Sequence, residues 1–353
     1  MAESVYIHIP FCKSKCKYCS FISFPRLDKK EQYLNNLELE IKSYYSGETL
    51  KTLYFGGGTP SLLSIAEFKR LVSLFKTNSN TEITAELNPE TLTSEYMSEL
   101  KKIGVNRVSI GCQTFDDEIL RLIGRRHNSN DVKNAVVYAK NAGFDNISLD
   151  FIYGLPNQTI KGFENDLKQA IELGVRHISL YGLKIDENCY FYKNTPQNLP
   201  DDDVQADMYL KAAEILKDFE HYEFSNFGIP SKHNLTYWNN ENYYGFGVSA
   251  HGYLDNIRYS NSDTLEKYFE NFRAQEILLT TQQQLEEEIF LGFRKMSGVN
   301  IDKINQKFNI DFEKKYSPIL KKYKDFFVQT PRGYALNIKG VLISNSILSE
   351  FLE

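Results

Sequence analysis

Cys12-Lys13-Ser14-Lys15-Cys16-Lys17-Tyr18-Cys19 holds three of the five cysteines of this 353-residue chain. Three residues separate the first two thiols and two separate the second pair, so one short loop can turn all three sulfurs toward a single point. The apolar run Val5-Tyr6-Ile7-His8-Ile9-Pro10 leads in and Ser20-Phe21 leads out. Four thiolates would close a [4Fe-4S] cube, and three leave one iron open. That corner can take the amino and carboxylate groups of S-adenosylmethionine (SAM), whose sulfonium an electron from the cluster can break to give a carbon radical. A zinc site is the competing reading, but zinc takes four tetrahedral ligands and favours paired CxxC knuckles. Only His8 lies near enough in sequence to be a fourth ligand, and coincidence is the blandest alternative. Cys112 and Cys189 stand alone and read as small buried residues. Lys13, Lys15 and Lys17 alternate with the thiols; positive charge there favours thiolate, and a solvated loop surface explains them equally well.

The chain is long enough for a large domain plus a smaller one. Apolar residues at 42% and charged residues at 25% exclude a disordered or fibrous chain. A formal net charge of -5 argues against a general nucleic-acid binder. The 24 Phe and 23 Tyr suit a protein that encloses a large flat ligand. No run reaches the length of a membrane span, and the first strand begins without a signal-peptide pattern. Clustered cysteines in an odd total fit a reducing compartment, so a cytoplasmic location is expected.

From residue 3 to about 182 short apolar runs alternate with helical periodicity. Strands are expected at Ser4 to Ile9, Leu50 to Phe55, Glu82 to Leu87, Arg107 to Gly111, Ile147 to Ile152 and His177 to Tyr181. Helices are expected at Glu31 to Tyr44, Ile65 to Phe75, Ser94 to Ile103, Asp131 to Ala142 and Phe163 to Leu173. Six such repeats predict an α/β fold, a parallel sheet curled into a partial (β/α)6 barrel. The expected domains are a core over 1–230, an aromatic and Gly-rich segment over 231–263 covering the open side of the barrel, and a C-terminal domain over 264–353. In the last, helices precede a small hairpin around Pro331-Arg332-Gly333, a winged-helix look.

Functional groups of such barrels gather at the carboxyl ends of the strands. The cysteine loop follows the first strand, Gly56-Gly57-Gly58-Thr59-Pro60 the second, Glu86-Leu87-Asn88-Pro89 the third and Gly111-Cys112-Gln113 the fourth. Asp150 lies on the fifth strand and Tyr181-Gly182 ends the sixth. Glycines let backbone approach a ligand closely, so the second loop is a candidate for the amino-acid end of SAM. Glu86, Gln113, Arg125 and Asp150 supply the acceptors and the guanidinium that a cationic nucleoside with a carboxylate needs. Singly, each reads equally as a capping or surface residue.

The CxxxCxxC spacing resembles the signature of the radical SAM superfamily. Tyr6 to Phe21, Gly56 to Pro60, Ser109 to Gln113, Asp150 to Pro156 and Gly245 to Gly252 together resemble one branch of it, the oxygen-independent coproporphyrinogen III oxidases and the HemW-type haem chaperones. The resemblance implies that Cys12, Cys16 and Cys19 ligate the cluster. It implies that Tyr6, Gly57, Gly58, Thr59, Glu86, Gln113, Arg125 and Asp150 line the SAM site, with Gly182 and His251 as weaker additions. Two departures separate the chain from the oxidases: Phe21 stands where they carry a further cysteine, and only eleven residues precede Cys12, where they carry an extension. His233-Asn234-Leu235-Thr236-Tyr237-Trp238 matches the HNxxYW element of the chaperone branch, where the histidine is implicated in haem binding. An imidazole can be an axial haem ligand; the plainer reading is that His233 bonds a loop and Trp238 fills core. The resemblance implies a haem chaperone that carries the cluster and exchangeable SAM and passes haem to an acceptor protein, with an electron donor needed if SAM is cleaved. A radical decarboxylase acting on coproporphyrinogen III is the alternative, and a radical enzyme on another substrate a third. Coproporphyrinogen oxidase activity is not expected.

Overall fold

In the computed structural model, which describes residues 1–352, strand and helix alternate as the periodicity predicts. The order is β1 (Ser4–Ile9), α1 (Lys30–Tyr44), β2 (Thr52–Gly57), α2 (Ile65–Val72), β3 (Glu82–Leu87), α3 (Ser94–Lys102), β4 (Arg107–Gln113), α4 (Asp117–Leu122), α5 (Ser129–Asn141), β5 (Asn146–Tyr153), α6 (Ile160–Glu172) and β6 (His177–Gly182). The six strands pair in parallel in sequence order, so all their carboxyl ends lie at one end of the sheet. Side chains pointing at the helices are apolar and buried: Val5, Ile7 and Ile9 on β1, Leu53 and Phe55 on β2, Val108 and Ile110 on β4. Their alternates are polar: Ser4, Tyr6 and His8, then Thr52 and Tyr54, Glu82, Thr84 and Glu86, Arg107 and Ser109, Ser148 and Asp150, His177 and Ser179. Strands of a parallel sheet usually read as continuous apolar runs because both faces are packed. Here one face is packed and the other is the polar interior of the barrel.

Next come α7 (Tyr190–Lys193), α8 (Asp202–Ile215), β7 (His221–Glu223), β8 (Asn226–Gly228), α9 (Lys232–Trp238) and β9 (Tyr244–Phe246). β8 runs antiparallel to β6 and β9 parallel to β1, which makes an open sheet of nine strands. The stretch expected to form short strands and loops over the open side departs from that expectation. Ser231 caps a helix, its hydroxyl accepting the Asn234 amide at 3.3 Å. That helix, α9, seats on the amino ends of β1 to β3, opposite the cysteine loop. Its first amides, Lys232 N and His233 N, donate to the Glu82 carboxylate at 3.2 and 3.1 Å, a favourable place for an acid. Thr236 Oγ1 meets Ser4 Oγ at 3.0 Å.

β10 (His251–Leu254), β11 (Ile257–Asn261), α10 (Leu265–Glu270) and β12 (Arg273–Leu278) form a three-stranded antiparallel unit. The boundary expected at 263/264 therefore cuts through a sheet, because β12 pairs with β11. The C-terminal module starts with α11 (Thr281–Phe293) and continues through β13 (Val299–Asn300), α12 (Ile301–Phe308), α13 (Phe312–Lys322), β14 (Phe327–Thr330), β15 (Gly333–Leu336), α14 (Ile338–Leu342) and α15 (Ser344–Leu348). The hairpin β14–β15 lies where the turn residues place it, with β13 as a third strand. Among the described residues no helix is long and apolar enough to cross a membrane.

One buried acid ties the later chain to the barrel. Glu40 on α1 is fully buried, and its carboxylate accepts Gly247 N at 2.8 Å, Asn261 Nδ2 at 2.6 Å and the Tyr268 hydroxyl.

Candidate functional site: a thiol-lined cavity at the strand carboxyl ends

Backbone bonds from four directions hold the cysteine loop. Gly58 N and Thr59 N donate to the Ile9 and Phe11 carbonyls at 2.8 Å each, Phe24 N donates to Pro10 O at 2.6 Å, Lys17 N to Ile123 O at 3.0 Å, and Phe191 N to Lys17 O at 2.9 Å. Beneath it, Ile119, Leu120, Ile123, Cys189 and Phe191 form a small apolar cluster. α4, which the periodicity does not resolve, supplies part of that support. Gly57 has φ +107°, and a Cβ there would lie 2.5 Å from the His8 ring; a Cβ on Gly58 would lie 2.7 Å from the Phe11 carbonyl. Only glycine allows this approach of the second loop to the first. With Gly57 N donating to Glu86 at 3.2 Å, the amides of Gly57 to Thr59 are all used within the protein. The segment therefore has carbonyls to offer a ligand.

A cavity of about 410 Å³ opens here. Cys12, Cys16 and Cys19 line it together with Gly57, Gly58, Thr59 and Gly182, and Glu86, Gln113, Arg125 and Asp150 line the rest. Among the described residues no three His, Cys, Asp or Glu side chains converge as a single-ion site. The thiols border open space instead, which suits a group larger than one ion. Thr59 Oγ1 donates to Cys12 Sγ at 3.4 Å and Arg125 Nη1 to Cys16 Sγ at 3.7 Å, contacts of the kind that tune a metal–sulfur centre. Burial pushes the Cys19 thiol up to about 11, so its thiolate needs a cation beside it, which a coordinated metal provides. The donor set fits a three-cysteine cluster.

Arg125 is fixed on all sides: Nη2 donates to Asn88 Oδ1 and to Gly111 O at 2.9 Å each, and Nε to His127 Nδ1 at 3.3 Å. Gln113 holds φ +68° at a bulge between β4 and β5, strain of the sort that collects at functional sites. Asp150 accepts Ser109 Oγ at 2.9 Å and Ser148 Oγ at 3.0 Å, and burial raises its carboxyl above the usual range. Glu86 accepts the Tyr54 hydroxyl at 2.8 Å, yet burial still pushes it up to about 7.

Four residues from the sequence reading, Tyr6, His8, His233 and His251, lie outside this cavity. Tyr6 is one layer down, its hydroxyl 3.1 Å from His8 Nδ1. His8 Nε2 meets the Ile22 carbonyl at 2.8 Å, and burial holds the ring down to about 4, so it is a neutral structural histidine. His251 is exposed on β10. His233 is at the far end of the barrel, 1% exposed, with Nδ1 2.7 Å from Thr52 Oγ1 and Nε2 2.8 Å from the Tyr237 hydroxyl. Tyr54, Asn88, Ser109 and Tyr181 line the cavity although the sequence reading does not select them. Tyr54 was findable, standing two residues before Gly56 on the same face of its strand.

Residues 6–170 match the Radical SAM superfamily and residues 279–326 the HemN C-terminal domain, which defines the class: a radical SAM protein with the C-terminal module of the HemN group. The chain is 38% identical to the heme chaperone HemW of Lactococcus lactis, over 99% of this chain and 97% of that one. It is 36% identical to the heme chaperone HemW of Bacillus subtilis, over 99% of each chain. It belongs to the HemW family. The solved coproporphyrinogen III oxidase HemN of Escherichia coli, described as a radical SAM enzyme, matches with a TM-score of 0.86 at 25% identity, covering 99% of this chain and 89% of that one.

Proposed function

We propose that this chain is a haem chaperone. It binds haem and passes it to an acceptor protein, and it carries a [4Fe-4S] cluster on Cys12, Cys16 and Cys19 with SAM exchangeable on the open iron. The observation that carries the reading is the full-length similarity to two proteins named heme chaperone HemW. Phe21 adds to it: it lines the cavity mouth and is 66% exposed, at the position where the oxidases resembled by this chain place another cysteine.

When bound, cluster and SAM supply one-electron chemistry. The chain's own part is to seat them. The carbonyls of Gly57 to Thr59 receive the SAM ammonium, Arg125 its carboxylate, and Glu86, Gln113 and Asp150 the ribose and the cationic centre. Tyr6 supports this set from the layer below, and His233 contributes to haem binding. Cleavage of SAM needs an external electron donor. A cytoplasmic setting belongs to the reading, because cluster thiols must stay reduced.

The E. coli oxidase match favours one second reading, oxidative decarboxylation of a porphyrinogen. Anaerobically reconstituted protein separates the two. Retention of haem through gel filtration, with no product from coproporphyrinogen III and SAM, is the expected result. Conversion of coproporphyrinogen III would overturn the chaperone reading.

A further inference from the structure

His127 does not line the thiol cavity, yet it is only 3% exposed and both of its ring nitrogens are engaged. Arg125 Nε donates to Nδ1 at 3.3 Å, and Nε2 meets the Cys112 carbonyl at 3.2 Å. A guanidinium nitrogen can only donate and a carbonyl can only accept, so Nδ1 is the bare nitrogen and Nε2 carries the proton. Burial, with the Arg125 charge beside it, holds the ring down to about 3, in keeping with a neutral imidazole. The Glu90 carboxylate lies 3.9 Å from the same Nδ1, beyond hydrogen-bond reach.

The far anchor of the imidazole is rigid. The Cys112 carbonyl stands one residue before Gln113 and its left-handed φ, and Asp166 on α6 clamps the turn just beyond. Thr114 Oγ1 donates to the Asp166 carboxylate at 2.7 Å and Phe115 N at 2.8 Å. A path of direct contacts thus runs from α6 through the β4 turn and His127 to Arg125, and from Arg125 Nη1 to Cys16 Sγ at 3.7 Å. Of the five guanidinium N–H groups, Nε serves His127, the two on Nη2 serve Asn88 and Gly111, and one on Nη1 serves Cys16. The other N–H on Nη1 is left for a ligand carboxylate, beside the thiol.

We propose that His127 is a positioning residue for the SAM site: splinted to the β4 turn, it holds the Arg125 guanidinium so that Nη1 meets both the Cys16 sulfur and the ligand's carboxylate. The inference rests on the cluster and SAM reading above. Without the Nδ1 acceptor, the Nε–H is buried unpaired and the planar fork loses one of its fixed points. Two losses follow, that of the donor to the carboxylate and that of the N–H···S bond. A hydrogen bond to a cluster sulfur favours the reduced state, whose sulfurs carry more negative charge, so its loss lowers the reduction potential.

The test uses full-length protein reconstituted anaerobically and measured for iron and sulfide, for SAM affinity by equilibrium binding, and for reduction potential by EPR-monitored titration. His127→Phe keeps the bulk of the ring and removes both nitrogens. It is expected to hold a full cluster, to bind SAM about tenfold more weakly and to shift the potential negative. His127→Gln, whose amide can accept from Nε and donate to the Cys112 carbonyl, should return affinity to within about threefold of wild type and restore the potential. Arg125→Lys keeps the charge without the fork, and adding His127→Phe to it should move neither quantity further, as for two residues acting through one group. His127→Asn is small enough to fit without rearrangement and reaches Nε but not Cys112; it should weaken SAM about threefold, which keeps the test open if His127→Phe loses its cluster. Either readout unmoved in a cluster-loaded His127→Phe, wild-type affinity in His127→Asn, or a further loss on the Arg125→Lys background would overturn the positioning role while leaving the cofactor reading in place. Wild-type protein that takes up no cluster or binds no SAM would remove both.

Discussion

Glu86 receives the Tyr54 hydroxyl and the Gly57 amide, both donors that favour the carboxylate, and yet burial wins and raises it from 4.5 to about 7. Asp150, buried nearby, adds like charge, and Arg107 opposes it. A folded-state value above the unfolded one means that the native protein holds the proton more tightly. The stabilisation from this group is complete below about 4.5 and is lost as pH rises through about 7. Binding of a sulfonium cation has the opposite slope, since the ionised carboxylate is the form that attracts it. SAM affinity of the reconstituted protein should therefore strengthen between pH 6 and 8, and Glu86→Gln should flatten that rise; equilibrium binding across this range is the check. Replacing any one of Cys12, Cys16 or Cys19 by Ala should abolish the four-iron absorption and spin signal, because two thiols cannot hold the cube; iron and sulfide analysis after reconstitution measures it. Much of this site was legible because strand tips at the carboxyl end are where function gathers. Gly57, Glu86, Gln113 and Asp150 sit in the cavity as the strand-tip rule places them. Asn88, which holds Arg125, lies at such a tip too, but its role depends on a contact 37 residues away that no local pattern announces.

Among the elements, the six core strands are found within a residue or two of the alternation that predicts them, because one face is apolar under helices and the other polar inside the barrel. α9 was hidden for a physical reason. Tyr237 and Trp238 carry strand propensity, whereas the helix is set by the Ser231 cap and by Glu82, an acid 150 positions from Lys232, receiving its first amides. Glu40 exerts similar control at long range. Glu40→Ala would leave the Gly247 amide, the Asn261 amide group and the Tyr268 hydroxyl buried without an acceptor. Each orphan costs about 1–3 kcal/mol, so a loss of about 3 kcal/mol or more is expected in denaturant unfolding. Glu40→Gln keeps one acceptor oxygen and should lose less.

At the scale of the molecule, barrel and C-terminal module share packing. Leu285, Ile289, Phe293, Phe312 and Phe351 form one core with Tyr209 and Phe224 from the barrel side. Backbone bonds cross the same seam, Phe224 N to Arg294 O at 3.1 Å and Met296 N to Tyr222 O at 3.1 Å. Separate melting would strip Tyr209 and Phe224 of their cover. Calorimetry of the apo-protein should therefore show one cooperative transition, with calorimetric and van't Hoff enthalpies in agreement. Two resolved peaks would show that the seam is weaker than this packing implies. The composition pointed to a large unit and a small one, and the boundary was misplaced because the chain from 264 reads as helical, whereas Arg273–Leu278 is a strand that pairs back with β11.

Trp238 is the only tryptophan in the chain, and it stands at the barrel end away from the cysteine loop. The protein thus carries an optical probe of its own. The Arg294 guanidinium lies 4.4 Å over the indole and belongs to the C-terminal module, so emission from this one residue watches the seam between the two units. Excitation at 295 nm would follow the docking of that module during refolding without any label.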